Sequence, residues 1–306
     1  MTTFTDAFRS WRRRLKASLP YVRRREHRVL QRKYAELIEA ADGHAPAAAE
    51  AALQWIQPLE PALAGEVCLF VTFAAEACIK RHVDAHVARL VAAGIRVVVI
   101  VNTDLAAERF VIDADLRTHA SGIAIRRNTG YDFGAWAHAL ALCDDSRWSR
   151  LYLVNDSIVG PLELPAFERM LERIRTSDAD VVGLTEALAP LRHLQSYFLV
   201  FSTRALRGGA VRRLFGRIRN WPTKMQVIDL YESRLTALLE AEGLRCEALF
   251  PSLSDDARSS DDTSLRWAEL VGLGLPYLKT RVIAAHPQDA RIERWLARMP
   301  GAPPAG

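Results

Sequence analysis

The chain has 306 residues, half of them apolar and a quarter charged, with a formal net charge of +5. That length suits one large domain or two small ones in an ordinary globular protein, and no apolar run approaches the roughly 18 residues of a membrane span. Cys68, Cys78, Cys143 and Cys246 stand far apart without a CxxC pair, which argues against a disulfide or zinc framework and for reduced core thiols in a cytosolic protein.

The N-terminus (MTTFTDAFRSWRRRLK) has cations but no apolar core, so it does not read as a secretory signal. The positive charge is concentrated in residues 9–33, where eleven Lys and Arg face one acid, Glu26. Trp11, Leu15, Tyr21, Val22 and Leu30 are interleaved among them. Such a stretch suits an anionic membrane surface, or a solvated, partly helical extension packed on the body; nucleic-acid contact is the weakest reading and is not the expected partner. The Ala- and Pro-rich residues 41–64 read as a linker or helical connector. The expected organisation is therefore a basic extension and linker (1–64), a main domain (65–290) and a C-terminal tail (291–306), whose ARMPGAPPAG end reads as disordered.

From residue 66 the pattern alternates. EVCLFVTF (66–73) and IRVVVIVN (95–102) read as strands buried on both faces, with a helix over 82–94 between them that stops at Gly94. Residues 105–118 read as helix, 122–126 as a third strand, 132–142 as helix and 150–155 as a fourth strand. A helix over 164–176 and a fifth strand over 180–184 follow. This alternation predicts an α/β fold with a mostly parallel, Rossmann-like sheet flanked by helices. Past 184 the order changes: a strand at 195–202, helices near 204–218 and 226–243, a polar loop at 254–262 and a helix near 263–273.

Two segments carry the chemistry. RRNTGYDFGAW (126–136) places a polar, glycine-broken turn (Asn128, Gly130) between a strand and a helix opening near Asp132. LYLVNDSIVGP (151–161) places Asp156 at the carboxyl end of another strand. Ligands of open α/β sheets bind outside the carboxyl ends of the strands, so the two segments point to one shared site. The N-terminus of the helix at 132 is a ready anion site for Asn128, Tyr131 and Asp132 to frame, although Asp132 also reads simply as the helix N-cap. Arg126 and Arg127 end the preceding strand and suit a phosphate, one of the two facing solvent. Around Asp156, Asn155 and Ser157 also read as an Asx turn.

The ordered set NTGYDFGAW, LVNDSIVGP, VVGLTEA, HLQSYFLVF, VIDLYESRLTALLEAEG and LPYLKTRV, spread over about residues 66–285, resembles the rhamnan synthesis protein F family of bacterial polysaccharide-assembly proteins, related to GT-A glycosyltransferases. The resemblance implies a GT-A-like fold with a nucleotide-binding half and a mixed acceptor-binding half. In that fold a metal-binding DXD ends the fourth strand; here the position reads Asn155-Asp156-Ser157. It implies that Asp156 would share a Mg²⁺ or Mn²⁺ ion with the donor's diphosphate, with one carboxylate fewer than usual. It also implies that Thr72 and Phe73 cradle a nucleobase and that Asn102 and Asp104, which otherwise read as turn residues, contact ribose or base. Related inverting enzymes carry their catalytic base at the start of a helix matching VIDLYESRLTALLEAEG, which makes Glu232 the expected base and Asp229 its substitute. Glu186, His193, Gln195 and Tyr197 fall in acceptor-side segments, and His286, after a strand-like VIAA, in the place of a late metal-binding histidine.

Dinucleotide, P-loop, serine-hydrolase and zinc-protease signatures are absent from the sequence. The expected function is transfer of a sugar, plausibly L-rhamnose, from a nucleotide-diphosphate donor to a lipid-linked or polysaccharide acceptor, at the cytoplasmic face of a membrane. A catalytically degenerate scaffold and a sugar nucleotidyltransferase are the alternatives. The latter would want a glycine-rich loop after the first strand, which VTFAAEACIKRH lacks.

Overall fold

The computed structural model of the chain describes residues 53–253 and 261–298. The basic stretch at 9–33, residues 41–52 of the expected linker, the loop at 254–260 and residues 299–306 lie outside the described residues.

The described chain opens with a short strand, β1 (Gln54–Gln57), then β2 (Gly65–Phe73), α1 (Arg81–Ala92) and β3 (Arg96–Asn102). A single 3₁₀ turn (Ala107–Arg109) leads to α2 (Ala114–His119), β4 (Ala120–Arg126), α3 (Tyr131–Leu142) and β5 (Trp148–Asn155). Then come β6 (Ile158–Val159), α4 (Leu164–Thr176), β7 (Val181–Ala187), β8 (His193–Leu194) and β9 (Phe198–Ser202). α5 (Thr203–Arg207), α6 (Ala210–Phe215) and α7 (Lys224–Val227) run into a π-helical segment, Ile228–Glu232, and α8 (Ser233–Ala241). β10 (Cys246–Phe250), α9 (Asp262–Leu265), α10 (Trp267–Gly272), β11 (Leu278–Lys279), α11 (Thr280–Ala285) and α12 (Ala290–Arg298) complete it.

The main sheet has the order β1-β4-β3-β2-β5-β9-β7-β10, with β8 paired to β7. β4, β3, β2 and β5 are parallel, as the alternation predicts. Val67 to Val71 of β2 are all fully buried, because strands flank them in the plane and helices cover both faces. The chain builds outward from β2 through β3 to β4, then returns to lay β5 against the other side of β2. This reversal is a topological switch point, and it leaves a crevice at the carboxyl ends of β2 and β5. Beyond β5 the sheet is mixed: β9 is antiparallel to both β5 and β7, and β10 is parallel to β7.

Several expectations change. Residues 54–57 are not linker but an edge strand antiparallel to β4, so sheet pairing begins before residue 65. The helix expected over 105–118 is broken, because Phe110 and Ile112 are drawn into the core in an extended stretch and Asp113 then caps a new helix through Asp115 N at 2.9 Å. The helix expected over 204–218 divides at Gly208-Gly209, where Gly209 has φ +70°. The strand expected over 195–202 is shortened to β9 (198–202), with the separate β8 just before it, and VIAA is helical, inside α11. α12 runs past the expected domain end at 290, with Ile292 buried in a cluster with Leu162, Trp267, Leu278 and Val282. All four cysteines are free, yet only Cys68 and Cys143 are core thiols, since Cys78 is exposed and Cys246 half-buried.

Candidate active site

The crevice at the switch point is organised around Asp156. Parallel pairing sets Val71 of β2 opposite Asn155 of β5, so the last residues of β2 meet the first residue past β5. Asp156 Oδ2 accepts hydrogen bonds from Thr72 Oγ1 at 2.7 Å, Phe73 N at 3.0 Å and Lys80 Nζ at 2.8 Å. Its neighbours form the Asx turn read from the sequence: Asn155 Oδ1 accepts from Ser157 N at 3.1 Å and Ser157 Oγ at 2.6 Å. The turn leaves the Asn155 amide free to donate to Asp132 Oδ2 at 2.8 Å.

Asp132 is therefore not the N-cap of α3. That position belongs to Gly130, in left-handed conformation, followed by Tyr131 with φ +53°. Two successive left-handed residues, one with a side chain, are a local strain of the kind that persists where surroundings fix it. Here Gly130 N donates to Trp221 O at 3.2 Å, and a Cβ on Gly130 would stand 2.6 Å from Asn220 Oδ1. The tight turn swings the Asp132 carboxyl into the crevice. Burial pushes its pKa up to about 7, aided by the charges of Asp156 and Glu232 and opposed by Lys224 and the Asn155 bond.

Glu232 closes the crevice from the other half of the molecule. It ends the π-helical segment, a distortion common at functional sites. Its Oε1 accepts from Ser196 N at 3.1 Å and Ser196 Oγ at 3.0 Å. Asp229, on the same segment, is exposed, and its backbone carbonyl accepts from Arg234. Of the two expected bases, only Glu232 is electrostatically joined to the Asp132 cluster.

Lys279 arrives from β11, which pairs antiparallel with β6 and sets Lys279 opposite Ile158. Its ammonium lies 4.9 Å from the centroid of the Tyr197 ring. Burial pushes its pKa down to about 8; Arg281 and Lys224 add to this, while Glu232 and Asp261 oppose it. Neither Lys80 nor Lys279 was a sequence candidate. Each is a single lysine in its local segment, and only the fold brings Lys80 to Asp156 and Lys279 to the Tyr197 ring beside β6.

The remaining candidates divide. Asn102 is buried at the end of β3, and its Oδ1 accepts from Arg126 Nη1 at 3.3 Å. Arg126 is buried too, donating to Asn220 Oδ1 at 2.7 Å, and desolvation lowers its pKa to about 10. As expected of one of the pair, Arg127 is exposed; Asp104 is exposed as well, and Asn128 half-buried. Gln195 and Tyr197 converge on Thr185, whose Oγ1 lies 2.6 Å from Gln195 Oε1 and 2.7 Å from the Tyr197 hydroxyl. His193 instead bonds Leu191 O at 2.7 Å, and Glu186 is held by Arg192 at 2.7 Å and Ser252 N at 3.1 Å. The three alternate polar residues at 193–197 thus do not act as one face. His286 is exposed at the end of α11, its ring 6.0 Å from that of Trp267, with no contact to Asp156.

A divalent cation at a diphosphate needs one or two carboxylates free to coordinate, with phosphate oxygens and waters completing its shell. Asp156 Oδ2 is already filled by three donors, one an ammonium, and Asp132 Oδ2 accepts from the Asn155 amide. Among the described residues no three His, Cys, Asp or Glu side chains come together as a metal site. Protein side chains alone therefore do not build a cation site here, and the oxygen of Asp156 that would face one is occupied by donors. A cavity of about 390 Å³ opens elsewhere, at the amino ends of β2 and β5. Its acids are matched, Glu66 with Arg175 at 2.7 Å and Asp180 with Arg204 at 2.7 Å, so it offers no comparable chemistry.

The family model for rhamnan synthesis protein F matches residues 97–298. The chain belongs to that family. In this member of the rhamnan synthesis protein F family, the matched region contains Asp132, Asp156, Glu232 and Lys279, while β2 and Lys80 precede it. No curated protein matches the chain. Among solved structures, the chain is similar to a crystal structure from Desulfovibrio desulfuricans G20 described as a nucleotide-diphospho-sugar transferase, at 13% identity and a TM-score of 0.38. That alignment covers 74% of this chain and 97% of the other. Among the described residues, no helix is long and apolar enough to cross a membrane.

Proposed function

We propose that the protein is a glycosyltransferase of rhamnan assembly, moving a sugar, L-rhamnose on this reading, from a nucleotide-diphosphate donor to a growing glycan. The observation that carries the reading is the meeting of Glu232 with the Asp132–Asn155–Asp156 cluster at the switch-point crevice. The donor's nucleoside lies along the ends of β2 and β3, by Thr72, Phe73 and Asn102. The acceptor enters from the β7–β9 side. Glu232, fixed by Ser196, takes the proton of the acceptor hydroxyl as that oxygen attacks the anomeric carbon. The carbon–oxygen bond to the diphosphate breaks, its electron pair leaving with the diphosphate, and the configuration inverts. Ser196 holds the carboxylate in one orientation, which is what in-line attack requires. The acceptor on this reading is lipid-linked or polysaccharide, presented at an anionic membrane surface.

Purified full-length protein assayed against UDP-, GDP- and dTDP-sugars with a rhamnan oligosaccharide acceptor tests this. Glu232→Gln is nearly isosteric and should lower transfer about 10²–10⁴-fold while donor binding persists. Unchanged turnover in that variant removes Glu232 as the base. Absence of transfer by the wild type with every donor, on both oligosaccharide and lipid-linked acceptors, favours the scaffold.

A further inference from the structure

The positive charge at the crevice comes from lysines placed there by the fold. Lys80 precedes α1, reaches Asp156 at 2.8 Å and is 46% exposed, so it can turn from Asp156 toward an entering anion. It stands at the N-terminus of a 12-residue helix, whose free amides favour an anion in the same place. Lys279 comes from the opposite end of the domain's sequence. β11 sets it opposite Ile158, two residues past Asp156, and Thr280 N fixes the approach by donating to Ser157 O at 2.8 Å. Lys279 is half-buried against the Tyr197 ring and forms no ion pair among the described residues. A half-buried ammonium without a carboxylate is costly unless an anion completes it. The two lysines approach the Asn155–Ser157 turn from separate elements, where Asp156 is already filled by hydrogen-bond donors.

We propose that Lys80 and Lys279 bind the donor's diphosphate and neutralise the charge that gathers on it as it leaves, in place of a divalent cation. The inference rests on the glycosyltransferase reading above and assigns the source of its leaving-group stabilisation. Ammonium groups fixed beside the diphosphate stabilise the charge that develops when the bond to the anomeric carbon breaks, and they need no metal to do so.

Calorimetry on the full-length protein with UDP, GDP and dTDP, each in EDTA and in MnCl₂, separates the possibilities. The expected result is binding of at least one nucleoside diphosphate with the same affinity in both buffers. Lys80→Gln and Lys279→Gln should each weaken that binding about 10–100-fold, the worth of one charge-assisted hydrogen bond. Lys80→Arg and Lys279→Arg should retain most of it, which guards against loss through misfolding. Binding that appears only with Mn²⁺ overturns this proposal and leaves the glycosyltransferase reading intact. Unchanged affinity in both folded Gln variants also overturns it. Failure of all three nucleotides to bind in either buffer overturns the inference together with the reading on which it rests.

Discussion

Asp132→Asn should make the protein more stable and less active, with a stability gain that depends on pH. In the folded protein the Asp132 carboxyl titrates at about 7 instead of 3.8, chiefly because burial disfavours its charged form. For an acid whose folded pKa is raised, the unfolded chain gives up its proton first. The penalty is absent below about pH 4, grows as pH rises toward 7 and is complete above it. At about 1.4 kcal/mol per tenfold change in acidity, a rise of this size corresponds to at most about 4 kcal/mol. Water reaching the crevice reduces this, so about 2–4 kcal/mol is expected at pH 8. The Asn155 amide can still donate to an amide oxygen at position 132, so the bond is kept while the charge goes. Urea unfolding of wild type and Asp132→Asn at pH 4.5, 6 and 8 should give curves that separate progressively in the mutant's favour. A stability difference that stays flat across this range would refute the account of Asp132 as a carboxyl forced into a desolvated site. A gain in stability accompanied by a loss of donor binding would mark the cost as one retained for function.

Two structural predictions follow from the walls of the crevice. Gly130→Ala places a methyl group 2.6 Å from Asn220 Oδ1 at a residue with φ +71°, so it should destabilise by about 1–3 kcal/mol and disturb the Asn220–Arg126 bond, read as a lower urea midpoint. Thr185→Val removes the hydroxyl between Gln195 and Tyr197 and strands polar atoms in a buried place. It should cost about 1–3 kcal/mol, and thermal unfolding indistinguishable from wild type would show that water fills the gap.

The parallel half of the sheet was legible because its strands are buried on both faces. Runs such as CLFV and VVVIV admit few readings when Gly and polar turns bound them, and the helix over 164–176 emerged with the limits its pattern gives. β1 was not legible: QWIQ is four residues at a sheet edge, embedded in Ala- and Pro-rich sequence, and only its pairing with β4 makes it a strand. The insertion of β9 between β5 and β7 was equally hidden, since hydrophobic pattern specifies that a strand exists and not which neighbour it takes. Gly208-Gly209, by contrast, is a breaker visible in the sequence inside the helix expected near 204–218.

The site divides along a similar line. Asp132 and Asp156 could be found because each follows a local signal, a glycine-broken turn in one case and a strand end in the other. Their unequal surroundings could not, because these are made by Thr72, Lys80, Asn155 and Glu232, which come from four separate segments. Asp156 is held by three donors on one oxygen, whereas Asp132 has one amide, the Lys224 charge and two carboxylates for neighbours. The same separation explains why Gln195 and Tyr197 looked like ligand-binding residues: polarity at alternate positions is visible, but the buried Thr185 that satisfies both lies ten and twelve residues away. It explains Lys80 and Lys279 most directly. A lysine in CIKRH or YLKTR carries no local mark of function, and its meaning lies in which carboxylate or ring the fold sets beside it. Charge that must be supplied at a reacting centre is therefore the part of this site least readable from the chain, because it is contributed singly and from a distance.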